Sequence, residues 1–215
     1  MVKHNKGPLV ENGIVVGNTT DKYESANPIT RFLAGNFCHA VGELAARIAP
    51  EDIFEVGCGE GHVTKVLLER TEATIQAVDI SETILDIARG NVNSPRVAFA
   101  CKNIYAIDSA TEHAGLVVCC EVLEHLDDPQ RGLKILADVA KPYAILSVPR
   151  EPLWRVLNMV RGAYWKDLGN TPGHLQHWSR EEFIRFVSQE FEVMETRSVL
   201  PWTILLARSR SVEAG

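Results

Sequence analysis

The chain is poor in the features that would staple or anchor a fold. Its five cysteines, Cys38, Cys58, Cys101, Cys119 and Cys120, include no C-x-x-C pair, and their odd number argues against a disulfide framework. Small buried thiols in a reducing compartment are expected instead. No apolar run approaches the ~18 residues a membrane span needs. The opening MVKHNKGPLV lacks the apolar stretch of a secretion signal. The expectation is a cytoplasmic chain without a transmembrane segment. Long lysine or arginine runs are also missing and the formal charge is −6, so nucleic acid is not an expected partner. Repeats and low-complexity tracts are absent too.

What is present is ordinary globular composition, 46% hydrophobic and 23% charged, over the 215 residues that suit one domain. Residues 1–27 are polar and weakly patterned, and read as an arm or lid. Residues 28–215 read as the domain proper. Pro28 suits a first helical turn, and Phe32, Leu33, Phe37, Val41, Leu44 and Ala45 recur at helical spacing, predicting a helix over 28–48. Strands are then expected at 53–56, 74–80, 97–100, 115–120 and 143–148. Helices are expected between them at 63–70, after the N-cap residue Ser81, and at 130–140. Strands apolar on both faces, alternating with helices, form a parallel sheet covered on both sides. The S-x-x-E of Ser179–Glu182 is a capping box, with Trp178 and Phe183 as its staple, and strands at 191–199 and 203–207 follow. The short Pro201-Trp202 link implies a hairpin and an antiparallel last strand. The fold class is α/β, a doubly wound, mostly parallel seven-stranded sheet.

Between the first strand of that sheet and its helix stands Glu55-Val56-Gly57-Cys58-Gly59-Glu60-Gly61. Glycines there let the backbone turn sharply and let a ligand lie against it, at the place where a doubly wound sheet binds. Asp79 ends the next strand, where a carboxylate can accept both ribose hydroxyls of a nucleoside. Dinucleotide binders share this logic, but Glu55 and Glu60 would repel a pyrophosphate. A cationic nucleoside fits the charge better.

The stretch 54–64 resembles motif I of the class I S-adenosylmethionine (SAM) dependent methyltransferases, which are Rossmann-like, and Val78-Asp79-Ile80-Ser81 resembles their following acidic motif. The resemblance extends over most of 28–150. It implies that Gly57, Cys58, Gly59 and Gly61, with Glu55, surround the methionine portion of SAM, and that Asp79 holds the ribose. It further implies that Ile80 packs on the adenine and that the Cys120 carbonyl receives the amino group. Asn103-Ile104 occupies the place where the family commonly has Asp and a backbone donor to adenine. The amide oxygen of Asn103 can serve the same acceptor role.

After the fourth strand of the sheet comes Glu121-Val122-Leu123-Glu124-His125. On a helix, residues at i, i+3 and i+4 share one face. Two carboxylates and an imidazole so placed can hold a hard divalent ion, or His125 can line the site without one. The spacing resembles the magnesium site of two groups, the polyprenyl-catechol O-methyltransferases of ubiquinone synthesis and the enzymes that methylate the 2′-hydroxyl at small-RNA 3′ ends. The first group is also resembled in Asn27-Pro28, in an inserted 154–177 segment, and in a histidine before the last helix. Either His174 or His177 is then the fourth ligand beside Glu121, Glu124 and His125.

The segment 151–178 is expected to cap the substrate side. Residues 153–161 within it form an amphipathic helix suited to an apolar acceptor, to weak membrane contact or to plain packing, and Tyr164 and Trp165 are pocket candidates. The expected activity is methyl transfer from SAM to a small-molecule oxygen, on an aromatic or lipid-like acceptor, with His125, Glu121, His174 and His177 as the catalytic candidates. Methylation of an RNA 3′ end or of a small-molecule nitrogen, and a SAM-binding subunit without activity, are the alternatives. The Ser147–Pro152 stretch SVPREP departs from the ubiquinone-enzyme pattern, so acceptor identity is not implied.

Overall fold

The computed structural model describes residues 9–11, 14–16, 27–160, 171 and 173–211. Most of the expected arm, and Tyr164 and Trp165, lie outside the described residues. Within the arm, β1 (Leu9–Glu11) and β2 (Ile14–Val16) pair antiparallel, structure that the weak sequence pattern did not announce. Helix α1 (Pro28–Ile48) opens on Asn27, whose side chain accepts from the Ile29 amide.

The rest alternates: β3 (Asp52–Val56), α2 (His62–Arg70), β4 (Thr74–Asp79), α3 (Glu82–Asn91), β5 (Val97–Cys101), β6 (Ala114–Cys120), α4 (Pro129–Val139), β7 (Ala140–Pro149), α5 (Leu153–Val160), α6 (Arg180–Val187), β8 (Phe191–Val199) and β9 (Trp202–Ser209). The seven strands from β3 onward form one sheet in the order β5-β4-β3-β6-β7-β9-β8. Neighbours from β5 to β7 pair parallel, and β9 lies antiparallel to both β7 and β8. The expected doubly wound sheet with its reversed last strand is therefore present.

Successive side chains on a strand face opposite ways, so each central strand feeds two cores. On one face Leu116, Val118, Ile145 and Ile204 meet Phe37, Leu44 and Leu67 from α1 and α2. On the other, Phe54, Val117, Leu146 and Leu205 meet Leu133, Leu136 and Phe183 from α4 and α6. The Ser179 capping box is closed in both directions, and Trp178 packs on Phe183 with ring centroids 5.8 Å apart. Topologically, β3 is the switch point: the chain proceeds outward to β4 on one side and to β6 on the other. Ligands of doubly wound sheets bind beyond the carboxyl ends of the strands at such a point.

Candidate active site

The glycine loop leaves β3 at this switch point. Gly57, Gly59 and Gly61 all have positive φ, at 76°, 54° and 83°. The Gly57 and Cys58 amides both donate to the Val78 carbonyl, at 2.8 and 3.1 Å, which folds the loop back over β4. A β-carbon on Gly57 would stand 2.2 Å from Cγ2 of Val122, so glycine is required there on two counts. Asp79 then ties loop to strand, with Oδ2 accepting from the Gly59 amide at 3.0 Å and Oδ1 from the Ser81 amide at 3.1 Å. Burial raises the Asp79 carboxyl above its ordinary range, against the pull of those two amides. Beside it Ile80 is 40% exposed, an apolar side chain left uncovered at the tip of β4.

Glu55 differs from its expected surroundings. It is buried beneath the loop, and Thr64 of α2 donates to its Oε2 at 2.6 Å. Burial pushes its carboxyl to about 8. Asn103 uses its amide oxygen to accept from the Tyr105 amide at 2.9 Å, which caps a short 3-10 turn over Ile104–Ala106. The Cys120 thiol ends β6, and burial drives it and the thiols of Cys58 and Cys119 far up. None is a thiolate near neutrality. All five cysteines are free.

The E-V-L-E-H segment does not form the expected helical face. Glu121 adopts φ 58°, and a 3-10 turn over Leu123–His125 follows. The physical reason lies in Leu123 and Leu126. Both pack on the core, and their spacing of three matches the 3-10 repeat. Glu121 thereby turns its carboxylate to β9, where Oε1 accepts from the Trp202 indole at 2.7 Å.

Glu124 and His125 turn the other way, toward the chain that returns after α5. The Leu175 and Gln176 amides donate to the Glu124 carbonyl, at 2.8 and 2.9 Å, and the Gln176 side chain donates to the Leu126 carbonyl at 3.2 Å. These bonds bring His174 in. Among the described residues, Glu124, His125 and His174 form one group whose ligand atoms lie within 4.8 Å of one another. Glu124 is 2% exposed. Nδ1 of His125 lies 2.8 Å from the Gly173 carbonyl, so it carries the hydrogen and leaves Nε2 as the lone-pair atom. His177 lies outside this group and is exposed, and partial burial beside Arg155 lowers its pKa.

Several contributors were not singled out from the sequence. Trp202 is 3% exposed and packs on Phe37 and Trp154, at 4.9 and 5.7 Å between ring centroids. The Trp154 indole donates to Thr171 Oγ1 at 2.8 Å, and its ring stacks near His174. Glu151, at the tip of β7, has Oε1 buried with no hydrogen-bond partner among the described residues. The position of Trp202 at a strand entry on the ligand edge was the one available signal.

A Rossmann-like sheet with a glycine loop and an acidic partner at its switch point defines a nucleoside-binding α/β protein. Residues 53–143 match the family model described as a methyltransferase domain. The ubiquinone biosynthesis O-methyltransferase of Coxiella burnetii (strain Dugway 5J108-111) is 30% identical over 92 residues, covering 42% of this chain and 39% of that protein. The malonyl-(acyl-carrier protein) O-methyltransferase of Halalkalibacterium halodurans is 30% identical over 131 residues, covering 58% and 48%. The chain thus spans less than half the length of these curated relatives. Among solved structures, the magnesium protoporphyrin IX methyltransferase of Synechocystis PCC 6803 with bound S-adenosylhomocysteine (SAH) superposes with a TM-score of 0.65 at 18% identity, covering 86% of this chain and 89% of that one. Residues 53–143 thus carry a methyltransferase domain, and the fold around it is that of the class I SAM-dependent methyltransferases. No helix among the described residues is long and apolar enough to cross a membrane.

Proposed function

We propose that the protein transfers the SAM methyl group to an oxygen of a small-molecule acceptor. The observation that carries this reading is the group Glu124, His125 and His174 just beyond the β6 tip, in a segment whose Val122 abuts Gly57 of the glycine loop. In the proposed arrangement Gly57, Cys58, Gly59 and Gly61 back the methionine portion, over buried Glu55. Asp79 holds the ribose, Ile80 covers the adenine, Asn103-Ile104 meets its edge, and the Cys120 carbonyl takes the amino group. Residues 28–215 form the transferase domain, with 151–178 as its cap.

The acceptor oxygen attacks the methyl carbon in line, the carbon–sulfur bond breaks, and SAH leaves as a neutral thioether. Holding the oxygen close to the sulfonium supplies much of the acceleration. The acceptor proton passes to His125 through Nε2, the ring nitrogen opposite the one that meets the Gly173 carbonyl. O-methylation in the two named relatives supports oxygen as the acceptor atom.

The donor set also fits a divalent ion. Glu124, His125 and His174 would hold it, and the Gly173 carbonyl orients His125 as ligating histidines require. With Glu121 turned to Trp202, two imidazoles and one carboxylate suit a borderline transition ion better than magnesium. Such an ion supplies Lewis acidity to an acceptor hydroxyl when bound. With His125 so engaged, a base would have to come from another histidine, of which His177 is the candidate outside the group.

Calorimetry with SAH tests the reading. Asp79→Ala is expected to weaken binding roughly 10- to 100-fold, the loss of hydrogen bonds to a charged group worth ~1.5–3 kcal/mol. Wild-type protein without affinity for SAH would sink it. Turnover of radiolabelled SAM over a panel of phenols, alcohols and amines then identifies the acceptor atom.

A further inference from the structure

Glu121 carries a backbone conformation that a β-carbon disfavours, with φ 58°. Such a residue persists only where its surroundings over-determine it. Its amide donates to the Ser147 carbonyl of β7 at 3.0 Å, and its Oε1 accepts from the Trp202 indole of β9 at 2.7 Å. One residue therefore ties the tips of β6, β7 and β9 together. The reversal it makes sends Leu123 into the core and aims Glu124 and His125 at the returning chain.

From Trp202 a run of ring contacts leads to the histidines. Its indole lies 5.7 Å from that of Trp154, which lies 6.3 Å from the His174 imidazole and inclined to it by 26°. His174 meets His125 edge-on at 4.9 Å. Backbone bonds to the Glu124 carbonyl place the main chain beside His174, and side-chain packing adds to what orients the ring. Among the groups packed against the ring is Trp154, itself seated between Trp202 and the Thr171 hydroxyl. A buried indole N–H deprived of its acceptor is costly, so Trp202 moves if Glu121 no longer receives it.

We propose that Glu121 is a positioning residue that acts through Trp202 and Trp154 to fix the His174 ring against His125, rather than a metal ligand or a base. The functional importance of that ring pair rests on the methyl-transfer reading of the site; the coupling itself does not.

The test uses histidine-ring and indole nitrogen NMR spectra of the full chain, with an SAH titration of each sample. Glu121→Gln keeps an acceptor oxygen at the same length and is expected to leave the His174 and Trp202 signals in place. Glu121→Leu and Trp202→Phe are each expected to shift the His174 ring signals, and the double variant to shift them no further than the larger single effect. Should Glu121→Leu fail to fold, Trp202→Phe against Glu121→Gln carries the same comparison. The proposal is overturned if Glu121→Gln moves the His174 signals as far as Trp202→Phe does, if Trp202→Phe leaves them unmoved, or if the two losses add. Wild-type protein that ignores SAH yet shows the coupled shifts would remove methyl transfer and keep the coupling. SAH binding with unmoved signals would do the reverse.

Discussion

Glu55 illustrates how far burial changes what a residue contributes. Charge counting treats it as a standing negative beside the glycine loop. In the fold it lies wholly inside, its carboxyl raised to about 8 and held by the Thr64 hydroxyl, so near neutral pH it is mostly protonated. The unfolded chain releases that proton near ~4.3, the ordinary value for Glu. The folded state thus binds the proton more tightly. Its stabilising effect is complete below the unfolded value and is lost as pH rises through about 8. Urea melts of the ligand-free protein are expected to show a midpoint falling between roughly pH 4.5 and 8, and Glu55→Gln should make that decline shallower. An unaltered slope would mean that the carboxyl is ionised in the fold. Two placements were legible in the sequence: Asp79 ends β4, and His174 comes beside His125 and Glu124. The direction of Glu121 was not, because nothing in a local pattern gives a non-glycine residue a positive φ. That sign is set by Ser147 and Trp202, which come from other strands.

At the scale of elements, local physics was readable and tertiary demands were not. The capping box at Ser179, the span of α1 and the bounds of β8 follow from spacing and composition alone. The E-V-L-E-H segment had a helix-compatible spacing, yet core packing of Leu123 and Leu126 across a short connection selected a tighter turn. That turn presses Val122 against the loop at Gly57. Gly57→Ala combines a φ of 76° with a clash, and a loss of ~1–3 kcal/mol is expected from strain and overpacking. In a Val122→Ala background the loss should shrink, since the offending Cγ2 is gone, while the φ contribution stays. Chemical denaturation of the four proteins measures both parts. Equal losses in the two backgrounds would show that the loop yields freely.

For the whole molecule, five apolar strands alternating with helices were enough to foresee a mostly parallel, doubly wound sheet, because parallel pairing demands crossovers and covered faces; the strand order came from the structure. How the chain after α5 folds back onto Glu124 could not be foreseen, since those contacts are main-chain bonds that carry no residue signature. A ligand seated at the switch point contacts several strand ends at once, so it should stabilise the domain as a unit. At 100 times its dissociation constant SAH is expected to add ~2.7 kcal/mol, which in a chain of this size raises the melting temperature by roughly 5–10 °C. Thermal shift assays read this directly. NADH at the same concentration should leave the melting temperature unmoved, and a comparable rise with NADH would point to a dinucleotide site instead.

The carbonyl of Glu124 grips its neighbour segment through two peptide amides, and the Trp178 carbonyl similarly takes the amide of Glu151. Fastenings made of peptide groups survive most exchanges of side chain. Leu175, 57% exposed, can be traded for other residues while the main-chain clasp that brings His174 to its partners stays closed. The surface of this segment is in this way separable from its attachment, and its side chains can be varied without the scaffold being rebuilt.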